Sequence, residues 1–265
     1  DPVFRAACPG IMLSSVREDK LIDFHPPPWL SSGLSQTIFG HVSSRPAAPQ
    51  GYESKLLPLA DGDHLNLHIE EQGDVGPIVL FLHGLGGCSE SRYILRTAEQ
   101  LRRLGATTVR FNHRSAAPGI PHAKGIYHAG RTEDIAATVE YLAQRWPTRP
   151  IAIVGYSLSA NMLLLLLGSE PDRFRELTNV KAALAVCPPI DLQACAQALS
   201  QRKNRILDWY FTKLLLETVA VKKALVMAVV MMVAGTAAMM VATVAVLAMQ
   251  LWEHTQSQRE NATRS

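Results

Sequence analysis

The chain has 265 residues, of which 48% are hydrophobic, a net charge of +3 and four cysteines. That length suits one full α/β domain. The small, scattered positive charge excludes a nucleic-acid footprint. Cys8, Cys88, Cys187 and Cys195 form no C-x-x-C pair and no disulfide framework, so a reducing compartment without a cysteine metal site is expected.

Residues 1–50 read as an irregular N-terminal arm. Asp1 opens the chain in place of methionine, no signal-peptide pattern follows it, and prolines stand at 26–28, 46 and 49. Trp29, Leu34 and Ile38 are the side chains expected to anchor the arm. Tyr52–Leu59 and Leu65–Glu70 flank the turn signal Ala60-Asp61-Gly62-Asp63. The alternation of LNLHIE predicts an antiparallel hairpin. His64 and His68 lie on it, but no third ligand has a matching spacing. They read as polar residues of a half-exposed strand rather than a metal site.

Ile78–Leu82 is a continuous apolar run, the mark of a buried parallel strand, and it ends in His83-Gly84-Leu85-Gly86-Gly87. Ser91–Leu104 has helical spacing at Ile94, Leu95, Ala98, Leu101 and Leu104. Thr107–Phe111 is the next strand, running into Asn112-His113-Arg114. Thr132–Trp146 is a helix with Ile135, Val139 and Leu142 on its buried face. Ile151–Val154 is a strand, Asn161–Leu167 is mostly a run of strong helix formers, and Val180–Val186 is a further strand. Helical patterns at Leu192–Leu199 and Ile206–Thr218 come next. Strand and helix therefore alternate after a hairpin, which predicts a doubly wound, mostly parallel sheet. Ligands of such sheets sit at the carboxyl ends of the strands, where His83, Asn112 and Ser157 fall.

Gly155-Tyr156-Ser157-Leu158-Ser159 occupies a strand-to-helix junction. A sharp turn there lifts the serine hydroxyl clear of the sheet and aims the helix N-terminus at it. Ser157 is thus the candidate nucleophile, with the Leu158 backbone N–H as an oxyanion donor. The competing reading is a helix N-cap serine.

Taken together these stretches resemble the YheT-like family of α/β-hydrolases, related to the eukaryotic abhydrolase-domain esterases and lipases. The match rests on Phe24-His25-Pro26-Pro27-Pro28-Trp29 followed by Gln36-Thr37-Ile38, and on His83–Gly87. It rests further on Asn112-x-Arg114 with Tyr127-His128-Ala129-Gly130 and Asp134, and on Gly155–Met162. It covers about residues 20–215. The resemblance implies an α/β-hydrolase-like, doubly wound, mostly parallel sheet and a serine hydrolase acting on carboxylic esters, acyl or lipid-like. It implies Ser157 as nucleophile, backbone N–H groups of Leu85 and Leu158 as oxyanion hole, and no cofactor. Arg114, His128 and Asp134 read as loop-fixing residues. Two departures stand out. Ser159 replaces a glycine, and strain is expected from its side chain. The strands that carry the family's acid and base are absent, so the sheet is truncated after about six strands and acid and base are unknown. Downstream of Ser157 lie Asp172, Asp191, Asp208 and one histidine, His254. The alternative is a non-catalytic or impaired protein of this fold. A nucleotide-binding reading of Gly84-x-Gly86-x-x-Ser89 with Arg114 competes more weakly, because its third glycine is missing.

The expected organisation is an arm over 1–50, a hydrolase core over 51–218, and a tail over 219–265 with a C-terminal apolar helix. Ala224–Leu251 carries no charge and as a helix would be about 42 Å long. Three readings stand for it: a membrane anchor, a buried helix replacing the missing strands, or the product of a shifted reading frame. As an anchor, with Lys222 and Lys223 before it, it would leave the hydrolase-like domain in the cytoplasm.

Overall fold

The computed structural model describes residues 25–43 and 51–223. The chain divides into two compact units, Asp1–Leu214 and Leu215–Ser265. In the second, residues 215–223 are helical. The first holds the sheet.

Six strands form that sheet: β1 (Glu53–Pro58), β2 (His64–Glu70), β3 (Ile78–Leu82), β4 (Thr107–Asn112), β5 (Ile151–Tyr156) and β6 (Val180–Val186). Their order is β1-β2-β4-β3-β5-β6. The β1–β2 and β2–β4 pairs are antiparallel, and β4, β3, β5 and β6 run parallel. The hairpin therefore docks on the strand that is fourth in sequence, and the crossovers put helices on both faces. β3 shows why. Ile78, Leu80 and Leu82 face one side, where they join Ile135, Val139, Leu142, Met162, Leu163 and Leu166. Val79 and Phe81 face the other, against Ile94 and Ala98. A strand apolar on both faces can only sit between two helix layers.

The helices are α1 (Gly33–Val42), α2 (Arg92–Arg103), α3 (Glu133–Arg145), α4 (Leu158–Ser169), α5 (Pro171–Glu176), α6 (Leu192–Leu199) and α7, which in this unit comprises residues 205–214. α2 covers the Val79/Phe81 face; α3 and α4 cover the other. The last strand, β6, has a paired neighbour only in β5 among the described residues, and Lys181 to Leu184 are exposed.

Three expectations are corrected. The arm is not irregular throughout: Ser32 caps α1 by accepting from the Ser35 N–H at 3.1 Å. Trp29, Leu34 and Ile38 do not anchor it; they are 65%, 39% and 44% exposed. β2 is not half-exposed: it lies between β1 and β4 and is buried from Leu65 to Glu70, its buried polar side chains bonded to Ser54, Asn112, Ser89 and Arg110. Among the described residues no helix is long and apolar enough to cross a membrane. Ala224–Leu251 and His254 lie outside the described residues.

Candidate active site

β5 ends at Tyr156, α4 begins at Leu158, and Ser157 alone makes the turn with φ 52° and ψ −117°. A non-glycine residue held at positive φ stores about 1–3 kcal/mol of strain and persists only where its surroundings enforce it. Here they do. The Ser157 N–H donates to the Val186 carbonyl at the end of β6 (2.9 Å), and the Ser157 carbonyl accepts from Ala160 and Asn161. Asn161 Nδ2 in turn donates to the Pro189 carbonyl (2.9 Å). Ser157 stands at the N-cap position, yet its side chain makes no capping bond and is exposed. The N-cap reading therefore fails, and the hydroxyl is left for other use. The turn also needs Gly155: a Cβ there would lie 2.8 Å from the Ser159 carbonyl oxygen and 3.0 Å from the Ala160 Cα.

The loop after β3 packs directly on this turn. A Cβ on Gly84 would meet the Ser157 Cβ at 3.0 Å and its Oγ at 3.6 Å. Two tyrosines hold the loop. The Gly84 N–H donates to the Tyr93 hydroxyl (3.0 Å) and the Gly86 N–H to the Tyr127 hydroxyl (2.9 Å), while Gly87 closes a turn onto the Gly84 carbonyl (3.0 Å). Burial raises the pKa of both phenols, so they stay neutral acceptors. The Leu85 N–H lies between these engaged donors and has no acceptor among the described residues. The same holds for the Leu158 N–H at the start of α4, where the helix dipole also favours negative charge.

Beneath the loop lies a network of neutral histidines. The His113 N–H donates to His83 Nε2 (3.2 Å), so the His83 proton sits on Nδ1, which donates to the Gly84 carbonyl (2.8 Å). Burial lowers the His83 pKa to about 4 and pushes that of His113 well below its usual 6.5. Ser159 completes the network. Its hydroxyl donates to the His83 carbonyl and accepts from His113 Nε2 at 2.6 Å. The side chain of Ser159 fills a polar slot, and the positive φ of the turn falls on Ser157. His113 Nδ1 is buried with no hydrogen-bond partner.

Charged groups behind the loop fix the segment that carries Tyr127. Arg114 binds Asp134 through Nε (2.8 Å) and Nη2 (2.7 Å), and Asp61 and Asp63 through Nη1. These contacts hold the guanidinium firmly charged. Asp63 also accepts the Lys124 and Gly125 N–H groups, both at 2.7 Å. Burial alone would raise its pKa. The N–H groups of Gly125, Lys124 and His64, with the Arg114 charge, bring it down to about 2. The loop leading to Tyr127 is thus tied to the hairpin turn. With Arg114 committed to three carboxylates, the nucleotide-binding reading loses its phosphate ligand.

The other residues singled out from sequence go elsewhere. Asn112 is buried, accepting the Ser89 N–H and donating to Asn66. His68 Nδ1 pairs with Ser89 Oγ (3.0 Å) and its ring stacks on Tyr52. His128 is exposed and accepts the Gly130 N–H. Asp191 caps α6 by accepting from the Ala194 N–H, and Asp172 pairs with Arg175. Among the described residues no histidine hydrogen-bonds Ser157. Sequence reading missed the roles of Tyr93, Tyr127 and His113. Tyr127 was visible as part of a motif, but only the fold shows which N–H it holds.

A mostly parallel sheet with a strained serine between a strand and a helix, opposite a glycine-rich strand-end loop, defines the hydrolase class of α/β folds. Residues 77–223 match the family described as alpha/beta hydrolase fold, and the chain belongs to that family. It is similar to YheT of Escherichia coli, an esterase by name, with 33% identity over 173 residues, 63% of this chain and 49% of that protein. It is 34% identical to medium-chain fatty acid ethyl ester synthase/esterase 2 of Saccharomyces cerevisiae, over 57% of this chain and 32% of that protein. With the monoacylglycerol lipase of the same yeast it shares 31% identity, over 45% of this chain and 26% of the lipase. The chain thus spans half or less of the length of these relatives.

Proposed function

We propose that the chain carries the nucleophile half of a carboxylic-ester hydrolase, with Ser157 as nucleophile and the Leu85 and Leu158 N–H groups as oxyanion hole. One observation carries the reading: an uncapped, exposed serine at positive φ beside two backbone donors that have no acceptor among the described residues. In this mechanism Ser157 Oγ attacks the ester carbonyl carbon as its proton passes to a base. The carbonyl oxygen becomes an oxyanion held by the two donors, and collapse expels the alcohol. Water then releases the acid from the acyl-enzyme. Relatives named for esters and monoacylglycerol support a substrate with an acyl chain, acyl or lipid-like. The reading calls for no metal or organic cofactor.

A second reading, a fold member that does not turn over, draws on the lack of any histidine bonded to Ser157 among the described residues. One experiment separates the site from the rate. A fluorophosphonate probe should label the chain, and Ser157→Ala should abolish labelling. Equal labelling of that variant would remove Ser157 from the mechanism.

A further inference from the structure

α1 is folded with its apolar stripe outward. Its half-buried positions are Ser35 and Gln36, whereas Leu34, Ile38, Phe39 and Val42 are exposed, the last at 66%. Trp29 sets its ring edge against Phe39 with centroids 5.1 Å apart, and is itself 65% exposed. Residues 25–43 contain no Asp, Glu, Lys or Arg. An amphipathic helix on a water-exposed domain normally turns such a stripe toward the core.

The stripe is not a frayed end. Arg92 Nη1 donates to the Ser43 carbonyl, and Arg96 Nη2 donates to Ser43 Oγ at 3.0 Å, so the end of α1 is pinned to the first turns of α2. The charge of the same arginine also reaches α7: burial raises the pKa of the Tyr210 phenol and the Arg92 charge opposes that rise. α7 also presents apolar groups outward, Ile206 at 68% and Trp209 at 62% exposure. The Lys213 ammonium lies 5.4 Å from the Trp209 ring. Residues 201–214 hold Arg202, Lys203, Arg205 and Lys213 against one acid, Asp208. Finally, Leu214 lies over the loop that faces Ser157, its Cδ1 2.7 Å from where a Cβ on Gly86 would stand.

We propose that the outward faces of α1 and α7 form a docking surface for an anionic lipid bilayer. Tryptophan and aliphatic side chains enter the interfacial layer of a membrane, and lysine and arginine beside them are drawn to acidic headgroups. The charge-free stripe of α1 supplies insertion, and the basic residues of 201–214 supply the attraction. Because Leu214 reaches the loop beside Ser157, docking presents membrane-borne esters to the nucleophile. That last step alone rests on the function proposed above; the docking surface does not.

Co-sedimentation of the full chain with vesicles tests it. The chain should partition onto phosphatidylcholine vesicles containing about 30% phosphatidylglycerol, and less onto pure phosphatidylcholine. Phe39→Ser with Trp209→Ser, and separately Lys203→Glu with Arg205→Glu, should each weaken partitioning at least about tenfold. All four positions are exposed, and circular dichroism checks that both variants fold. Unchanged binding in both variants would assign it to another part of the chain, including 224–251, and overturn the proposal. So would no binding of the unaltered chain to acidic vesicles. Self-association without lipid that Phe39→Ser/Trp209→Ser abolishes would make the face a dimer interface instead. Ser157→Ala should bind vesicles like the unaltered chain, so a chain that docks but takes no fluorophosphonate would sink the ester reading alone.

Discussion

Ser159 stands where a second glycine is usual after a nucleophile turn, and its hydroxyl is put to use. It bridges the His83 carbonyl and His113 Nε2, tying the start of α4 to the end of β3. The backbone of the turn still needs one glycine, Gly155, because its missing Cβ is what lets α4 approach β5. From the sequence both positions looked like matters of room alone; a serine's hydrogen bonds depend on which way the helix presents it. Ser159→Ala would leave a carbonyl and an imidazole N–H buried without partners. Each such loss costs about 1–3 kcal/mol, so a fall of about 2–6 kcal/mol in unfolding free energy is expected. Urea unfolding measures it. A change below about 0.5 kcal/mol, the usual effect of an ordinary surface substitution, would show that the two bonds do not form.

The strands and their flanking helices were legible because each had a clean pattern. The continuous run Ile78–Leu82 predicted a strand buried on both faces, and Leu192–Leu199 reads the same in sequence and structure. α1 was not legible. It comes after Pro26-Pro27-Pro28 and carries no charge to mark a polar face, and its apolar stripe faces outward, against the rule that finds helices. β2 was misjudged because Asn66, His68 and Glu70 look solvent-facing, yet they are buried with Ser54, Asn112, Ser89 and Arg110 as partners. Its buried polar groups have partners, and the histidines at the ends of β3 and β4 are buried neutral, which makes the sheet sensitive to acid. His83 is neutral in the fold, with a pKa lowered from 6.5 to about 4, so only the unfolded chain takes up its proton between those values. Its contribution is fully present above pH 6.5 and is lost as pH falls to about 4, a span of about 3 kcal/mol. His68, also lowered to about 4 by burial and by Arg110, adds in the same direction. Asp63 acts in a separate window, below its ordinary 3.8. Thermal midpoints should therefore drop steadily between pH 7 and about 4.5. A flat midpoint across that range would mean these rings are not held neutral.

At the scale of the whole molecule, the described sheet carries the strained Ser157 turn and the glycine-rich loop opposite it, and its last described strand is β6. The stretch it shares with its relatives is half or less of their length. A serine hydroxyl needs a base to take its proton at attack and to hand it to the leaving alcohol. His83 and His113 are buried in their own network, His128 is exposed and turned to Gly130, and none bonds Ser157. The positive φ, the Leu85 and Leu158 donors and the tyrosine clamps do not depend on that base. An oxyanion hole and binding alone retain roughly 10³–10⁴-fold catalysis over water in a serine hydrolase stripped of a triad member. The chain should therefore hydrolyse p-nitrophenyl butyrate slowly and only through Ser157. His254→Ala should leave the rate unchanged, and added imidazole should raise it in proportion to its neutral form, by supplying a proton acceptor. Subtracting the imidazole-catalysed background measured with Ser157→Ala isolates the enzyme's share. Fast turnover that disappears in His254→Ala, with no response to imidazole, would show that a base from the tail already reaches Ser157, and that the site is whole rather than half-built.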